Sequence, residues 1–255
     1  MTADRVADVI SPITDSPLPD KVSRAQAQAE GRFGHSKPTV DNSIVLLIDH
    51  QIGLLASTRD TSSAAELKSN IVGLARVTKA LGLPVLITSS NAQWQNGDVL
   101  PEIKEIFPDT PIIRRTGIIN AYEDPTFRAA LVRVLEETGR THIILAGVTI
   151  GTCTLFPTLS LRNDGYEVFP VIDAAGAWNR YEADAAVARM VQAGAQPVTT
   201  FALACELQED WKKPWSNAML EPFSENLSEY GYVLANFWNN YGGQKVVADP
   251  FAENS

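Results

Sequence analysis

The cysteine at position 153 lies at the junction of a strand pattern and a helix pattern, and it is the residue of this chain best placed to act as a nucleophile. An apolar run, His142–Ala146, is typical of a buried strand; it stops at Gly147, and a helical pattern, Thr152–Asn163, follows. This spacing puts the thiol in the first helical turn, where unpaired backbone N–H groups and the helix dipole lower a cysteine pKa and favour the thiolate. The same N–H groups could hold an oxyanion.

An aspartate and an arginine form a chemically complementary set with this thiol. Asp49 ends the first predicted strand, and Arg115 follows the third. In parallel α/β sheets the site lies beyond the carboxyl ends of the strands, so we expect the carboxylate, the cation and the thiol to meet at one edge. Taken singly, each residue has a plainer interpretation: a small core cysteine, a turn aspartate and an exposed loop arginine. Asp173, which follows the fifth strand, is predicted to cap the next turn.

The elements that must position these residues alternate regularly from Ser43 onward, with strand and helix patterns exchanging six times. Such alternation predicts an α/β fold in which a parallel sheet has helices on both faces, a Rossmann-like three-layer arrangement. The predicted strands are Ser43–Asp49, Pro84–Thr88, Pro111–Arg114, His142–Ala146, Glu167–Ile172 and Gln196–Thr200. The predicted helices are Ser62–Leu81, Val99–Phe107, about 125–138, Thr152–Asn163 and Tyr181–Ala193.

The composition is that of a globular protein and argues against two classes of partner. Apolar residues make up 45% and charged residues 20% of the 255 positions, and the formal net charge is -9. An acidic chain is poorly suited to bind nucleic acid or an anionic membrane, and no apolar run approaches the roughly 20 residues of a membrane helix. Two cysteines, Cys153 and Cys205, do not suggest a disulfide scaffold, which favours a reducing, cytoplasmic location.

The chain is predicted to have three regions. Residues 1–40 are polar, contain several prolines and lack the apolar core of a secretory signal, so we expect an arm that is either flexible or packed on a neighbouring subunit. Residues 41–211 hold the alternating pattern and form the predicted catalytic domain. Residues 212–255 form a tail rich in aromatic residues, which is predicted to cover either its own domain or a neighbouring subunit.

Five ordered segments of the chain resemble the isochorismatase-like cysteine hydrolases, over roughly residues 42–211. The segments are LLIDHQIGLL at Leu46–Leu55, RTGIINAYEDPTF at Arg115–Phe127, LAGVTIGTC at Leu145–Cys153, GYEVFPVIDAAGAW at Gly165–Trp178 and QAGAQPVTTFALACEL at Gln192–Leu207. The resemblance is to a branch of small hydrolases with poorly defined substrates, whose members assemble into octamers. It therefore implies a homo-oligomer, of eight copies in that branch, that acts on a small molecule.

The resemblance also implies a fold and a set of site residues. The fold is a six-stranded parallel sheet with helices on both faces. The catalytic residues of the family fall on Asp49, Arg115 and Cys153, and a cis peptide bond falls at Val148–Thr149. The backbone N–H groups of Thr149 and Cys153 are then expected to form an oxyanion hole.

Two departures from the family pattern affect these expectations. The basic position is usually lysine in the family, whereas this chain has Arg115. Arginine stays protonated, so it could stabilise a thiolate and a carboxylate but could not shuttle a proton, and proton transfer would depend on Asp49 alone. The second departure is Ile150-Gly151-Thr152, where many relatives carry Thr and an acidic residue, and it leaves the substrate open.

Further residues are predicted to line a substrate pocket from their places in the matched segments, although each could equally belong to the core: Gln51, Trp94, Asn120, Tyr122, Phe156 and Trp178. No cofactor is expected. No metal site is expected either, because the three histidines, His35, His50 and His142, show no metal-ligand spacing. A structural role is favoured for His50 over a place in the site.

The function predicted from these residues is hydrolysis of a small carboxamide-type C–N bond through a thioester on Cys153, with Asp49 as general base. The alternative is a binding or assembly protein that keeps the fold without efficient catalysis, and Arg115 is its best support. Vinyl-ether cleavage, as in isochorismatase itself, is disfavoured because that chemistry uses no cysteine nucleophile. A redox disulfide between Cys153 and Cys205 is the weakest possibility.

Overall fold

The structure is a computed structural model, which describes residues 36–59 and 63–240. Most of the predicted arm, His35 and the end of the tail from residue 241 lie outside the described residues. The strands are β1 (Ser43–Ile48), β2 (Val85–Ser90), β3 (Ile112–Arg115), β4 (His142–Gly147) and β5 (Glu167–Pro170). The helices are α1 (Ile52–Ala56), α2 (Ala64–Ala80), α3 (Pro101–Ile106), α4 (Pro125–Thr138), α5 (Leu155–Asn163), α6 (Arg180–Gln192), α7 (Thr200–Gln208), α8 (Ser216–Glu225) and α9 (Ser228–Asn240).

The five strands form one parallel sheet in the order β3-β2-β1-β4-β5, with β1 at its centre. Every residue of β1 is fully buried, which explains why its sequence is almost continuously apolar: helices cover both faces of the sheet. The predicted α/β fold with a parallel sheet is confirmed. In register, Ile48 pairs with both Thr88 and Gly147, so β1 and β4 end at the same level and β2 extends two residues further.

The sixth predicted strand does not form, and the sheet has five strands in the described part of the chain. Residues 196–198 run beside β5 but make only one parallel bridge, between Val171 and Val198. The amide of Gln196 donates to the Val168 carbonyl at 2.9 Å. The amide that would return the bond to Gln196 belongs to Pro170, which has no N–H, so the ladder is interrupted there.

Two apolar layers hold the helices on the sheet, and alternate residues of β1 point into each. Val45 and Leu47 pack among residues of α2, α7 and α8, whereas Ile44, Leu46 and Ile48 pack among residues of α4, α5 and α6. Burying a side chain of this size stabilises a fold by about 1.5–3 kcal/mol. The central strand, whose carboxyl end carries the candidate site, is therefore anchored from both sides.

Helix α4 begins where the sequence predicts. The Asp124 carboxylate accepts hydrogen bonds from the amides of Thr126 and Phe127, both at 3.0 Å, and Pro125 takes the first helical position. Its end is set by Gly139, whose φ of 65° lies in the left-handed region that favours glycine. Capping of this kind is encoded locally, which is why the pattern alone located it.

Asp173 caps a helix, but not in the turn that immediately follows it. Its Oδ1 accepts from both the amide and the hydroxyl of Thr200, at 2.8 Å each, and so caps the start of α7. In the tail, Met219 and Phe223 are fully buried in the core of the same chain. Among the described residues, no helix has the length and apolar character needed to cross a membrane.

Candidate active site

The ends of β1, β3 and β4 bring Asp49, Arg115 and Cys153 together. Asp49 follows β1 with a φ of 57°, and its amide donates to the Thr88 carbonyl at 3.0 Å. Arg115 is the last residue of β3, and Cys153 lies in the turn after β4. All three are buried, Asp49 and Arg115 almost completely and Cys153 with 8% of its surface exposed. The three buried groups therefore meet at the carboxyl edge of the sheet.

The Arg115 guanidinium is held rigidly against Asp49. Its Nη2 donates to both carboxylate oxygens of Asp49, which makes a salt bridge buried on both sides. Its Nε donates to Thr88 Oγ1 at 3.0 Å, and Nη1 donates to the carbonyls of Ile118 and Ile119. Every side of the cation therefore meets an acceptor, which satisfies its buried donors and orients the carboxylate.

The turn that carries Cys153 differs from the predicted first turn of an α-helix. Ile150–Thr154 is a π-helical turn, and the α-helix begins only at Leu155. The Leu155 amide donates to the Ile150 carbonyl, a wider spacing than in an α-helix. The backbone at Gly147 passes so close that an added Cβ would lie 2.8 Å from the Ile48 carbonyl oxygen. Glycine at this position therefore lets the turn approach the end of β1.

The pKa of Cys153 is shifted in the direction opposite to the one the pattern predicts. Burial raises the pKa of the Cys153 thiol, and the adjacent Asp49 carboxylate raises it further, whereas Thr152 and Arg115 act in the lowering direction. The expected free thiolate is thus wrong for the resting site, because the sequence pattern does not reveal the burial of the sulfur. This shift favours the thiol form of Cys153 over the thiolate.

Asp49 is suited to receive the thiol proton. Burial raises the pKa of Asp49 above its ordinary value, in opposition to the lowering effect of Arg115 and of hydrogen bonding to Cys153. A buried carboxylate binds a proton more strongly than one in water, so Asp49 is a better base than an exposed aspartate. The Asp49 carboxylate and the Cys153 thiol are close enough for each group to influence the pKa of the other.

The peptide bond between Val148 and Thr149 is cis, as the resemblance implies. The Thr149 side chain turns away from the strand end and donates to Glu182 Oε1 at 3.0 Å. The Ile150 amide donates to the Gly176 carbonyl at 2.9 Å. The turn is thus tied on one side to α6 and on the other to the segment after β5. The role of the Thr149 and Cys153 amides as oxyanion donors stays a prediction.

The side chains of three predicted pocket residues make hydrogen bonds to other groups of the protein. Gln51 is fully buried, and its amide side chain bridges the backbone of Ser90 and Gly97. Asn120 accepts from the Tyr122 amide at 3.2 Å and caps a short 3-10 turn. The Tyr122 hydroxyl donates to an Asp164 oxygen at 2.6 Å. Their side-chain hydrogen bonds therefore position the loops around the site.

Of the other three predicted pocket residues, Trp94 and Phe156 line surface clefts, and Trp178 lies at the surface. Trp94 is 68% exposed and lines a cleft of about 380 Å³ that reaches Arg115. Phe156 lines a second cleft, of about 520 Å³, together with Asn120. Trp178 is 53% exposed, and its indole N–H donates to Ser57 Oγ at 3.0 Å. These side chains are available to a ligand that approaches the edge of the sheet.

Two residues near the site were missed by sequence reasoning. Thr88, at the carboxyl end of the second predicted strand, accepts from Arg115, and that position was a signal that could have found it. Glu182, which contacts Thr149, stands three residues after the helix cap Asn179, an arrangement typical of a capping box.

The preference for a structural role of His50 agrees with its contacts. Its Nε2 bonds the Ala174 carbonyl at 3.0 Å, and burial lowers its pKa to about 4, so it is neutral at pH 7. Across residues 36–59 and 63–240, no three His, Cys, Asp or Glu side chains form a group that could hold a metal ion.

The fold is a parallel α/β sheet, and its carboxyl edge carries a buried aspartate, arginine and cysteine. These features define a class of α/β proteins whose candidate site is built around a cysteine thiol. The sequence model of the isochorismatase domain matches residues 43–201. This chain therefore belongs to the isochorismatase family.

Comparisons with individual proteins support this family assignment. The probable hydrolase YcaC of Escherichia coli strain K12 is 38% identical over 197 residues, which are 77% of this chain and 92% of that protein. A structure of YcaC from Pseudomonas aeruginosa with hexane-2,5-diol and covalent acrylamide has a TM-score of 0.72 at 38% identity and covers 80% of this chain and 98% of its own. The Escherichia coli ycaC product, described as an octameric hydrolase of unknown specificity, has a TM-score of 0.74 at 36% identity and covers 82% and 98%.

Proposed function

We propose that this protein is a cysteine-dependent hydrolase that cleaves the C–N bond of a small carboxamide through a thioester on Cys153. The observation that carries the proposal is the buried Asp49 carboxylate, clamped by Arg115 and placed beside the Cys153 thiol. A base next to a nucleophile, itself oriented by a third group, is the arrangement that covalent catalysis needs.

The first step is a proton transfer from sulfur to Asp49. Burial raises the pKa of both groups, so the thiol stays protonated before the substrate binds, and Asp49 is a stronger base than an exposed aspartate. The thiolate sulfur then bonds the carbonyl carbon, and the carbonyl electron pair moves to oxygen. Amides of the turn, those of Thr149 and Cys153, stabilise this oxyanion, at about 2.7–4 kcal/mol for one donor.

Collapse of the tetrahedral intermediate breaks the C–N bond. The leaving nitrogen takes the proton from Asp49 and departs as ammonia or an amine, which leaves a thioester. Asp49 then removes a proton from water, and the water oxygen bonds the thioester carbon. When the C–S bond breaks, its electron pair stays on sulfur, which recovers the proton from Asp49. The net reaction consumes one carboxamide and one water and yields a carboxylic acid and an amine.

Arg115 does not transfer protons in this scheme, because a guanidinium stays charged throughout. It holds the carboxylate in one orientation and lowers the cost of a negative charge that alternates between oxygen and sulfur. An arginine at this position is thus compatible with turnover, provided that Asp49 performs every proton transfer.

The proposal is tested by ammonia release from a panel of small aliphatic and aromatic carboxamides. Wild type and Cys205→Ala, the control at the other free cysteine, are expected to turn over the same substrate. Cys153→Ala and Asp49→Asn are expected to lose activity by at least 10³-fold, since each removes a group used in the chemical step. An active Cys153→Ala variant would refute the mechanism. If wild type binds a carboxamide without cleaving it, the binding or assembly interpretation gains support instead.

We also propose that the protein works as a cytoplasmic homo-oligomer that takes a small-molecule substrate. Support comes from the Escherichia coli relative, which is described as octameric. Eight copies of the 27.7 kDa chain would have a mass of about 222 kDa. Light scattering coupled to size-exclusion chromatography measures this mass directly, and a monomer at micromolar concentration would contradict the proposal.

A further inference from the structure

Glu182, in the first turn of α6, reaches across to the turn that carries the candidate nucleophile. Its Oε1 accepts from the Thr149 hydroxyl at 3.0 Å, and its Oε2 accepts from the Trp178 amide at 2.8 Å. Its own amide donates to the Asn179 side chain at 3.0 Å, which fixes the backbone from which the carboxylate projects. Both carboxylate oxygens thus accept hydrogen bonds from protein groups.

The backbone of the turn is packed directly against this carboxylate. A Cβ added to Gly151 would lie 2.5 Å from Glu182 Oε1 and 2.7 Å from its Cγ, closer than van der Waals contact permits. Gly151 does not have a positive φ, so the obstacle to a larger residue here is the Glu182 side chain. At position 151, the Glu182 side chain occupies the space that a β-carbon would fill.

A series of side-chain contacts leads from this carboxylate to the sulfur. The Thr149 hydroxyl lies 3.1 Å from the Thr152 hydroxyl, which lies 3.6 Å from Cys153 Sγ. Glu182 therefore contacts the first residue of the turn through a hydrogen bond and its middle through packing. The turn's last residues are tied separately, by the Thr154 hydroxyl to the Gly147 carbonyl at 2.6 Å.

We propose that Glu182 is a positioning residue for the oxyanion site. It acts through Thr149 and Gly151 to hold the turn so that the amides of Thr149 and Cys153 point to the place where negative charge develops on the carbonyl oxygen. It does not touch the substrate and moves no proton. This inference rests on the proposed function, because it concerns the oxyanion of the same acyl transfer.

Two reagents distinguish stabilisation of the oxyanion from the reactivity of the thiol itself. With p-nitrophenyl acetate the thiol proton passes to Asp49, sulfur bonds the acetyl carbon through an oxyanion intermediate, and the C–O bond breaks with its electron pair on p-nitrophenolate. With iodoethane, which has no carbonyl group, the thiol proton also passes to Asp49, the sulfur displaces iodide at a saturated carbon, and no oxyanion forms. Intact mass and peptide mapping report both modifications of Cys153, and the ratio of the two rates is the quantity to compare among variants.

Glu182→Ala is expected to slow acetylation by about tenfold to a hundredfold, a loss within the range for misplaced catalytic geometry and below that for deletion of an oxyanion donor. Alkylation should change by less than about twofold, because that reaction does not use the oxyanion site. Glu182→Gln should recover part of the acetylation rate, since its amide oxygen can still accept from Thr149 while its amide nitrogen cannot accept from the Trp178 amide. The matched control is Asp184→Asn, on the same helix, where the exposed carboxylate meets Arg180 at 3.4 Å.

Gly151→Ala provides an independent route to the same defect. Its β-carbon must displace the Glu182 carboxylate, so it should slow acetylation as Glu182→Ala does. The double variant Gly151→Ala/Glu182→Ala should be acetylated no more slowly than either single variant. Both changes remove the same interaction, and the effects of substitutions at contacting residues do not add.

Several results would overturn the inference. Equal slowing of both reactions in Glu182→Ala would indicate general disorder of the turn. If neither reaction were slowed, the contact between Glu182 and the turn would have no effect on the oxyanion site. Acetylation as slow in Glu182→Gln as in Glu182→Ala would show that the hydrogen bond to Thr149 does not hold the turn. A wild-type protein that is alkylated at Cys153 but never acetylated would instead remove the proposed function, an outcome that these arms distinguish from failure of the Glu182 inference alone.

Discussion

The buried salt bridge between Arg115 and Asp49 yields the sharpest prediction. The perturbation is Arg115→Met, which keeps an elongated apolar side chain and removes the cation. Asp49 is 1% exposed, so its carboxylate would lose its counter-charge without gaining water. The Ile118 carbonyl and the Thr88 hydroxyl would also lose the guanidinium as a partner.

The expected loss of unfolding free energy is about 3–5 kcal/mol, the usual cost of removing one partner from a buried ion pair. Most of this cost is the uncompensated carboxylate, so Arg115→Met/Asp49→Asn should be more stable than Arg115→Met alone. Contacting residues couple by roughly 0.5–3 kcal/mol, and a recovery near the upper end is expected here. Arg115→Lys keeps the charge and should lose less than Arg115→Met.

The pH dependence of this loss has a definite sign. Without the cation, the already raised pKa of Asp49 rises further, and the folded state then binds a proton more readily than the unfolded state does. For a carboxyl group whose folded pKa is raised, acidification stabilises the folded state relative to the unfolded state. The stability difference between wild type and Arg115→Met should therefore shrink as the pH falls from 8 toward 5.

Urea unfolding followed by tryptophan fluorescence measures these free energies, with slopes compared to verify that the denatured states match. Arg114→Met is the matched control: it is the adjacent residue of β3, its side chain is 58% exposed, and its change should stay within about 0.5 kcal/mol. The reasoning is refuted if Arg115→Met costs less than about 1 kcal/mol. A double variant no more stable than the single variant would contradict it equally.

Two further predictions concern other parts of the fold. Burial lowers the pKa of His50 from 6.5 to about 4, so the folded state favours the neutral imidazole. The contribution of this group to the free energy of unfolding is fully present above pH 6.5 and is lost as the pH falls toward 4. At about 1.36 kcal/mol per pKa unit, wild type should lose roughly 3 kcal/mol more than His50→Gln between pH 7 and pH 4, and parallel stability profiles would contradict this. Replacing the cap Asp124 by Ala should cost about 1 kcal/mol of unfolding free energy, whereas Ala at the exposed Asp109 should cost nothing measurable; equal melting temperatures for the two would refute the capping role.

Much of the architecture follows from local patterns. The continuous apolar run of β1 predicts a strand covered on both faces, and the Asp124-Pro125 pair predicts the start of α4. Strand and helix order predicts a parallel sheet, and the parallel direction places Asp49 and Arg115 at one edge. These inferences succeed because hydrophobic period and capping act within a few residues.

The sequence by itself thus determined the type of fold, the order of its elements and the three residues at the carboxyl edge of the sheet. Tertiary structure alone decided what those residues experience. Asp49 and Arg115 are 66 positions apart, and the desolvation that raises the pKa of Cys153 exists only once the helices have closed over the sheet. Burial and counter-charge are properties of packed neighbours distant in the chain, and for the same reason the contact between Glu182 and Gly151 appears only in the folded protein.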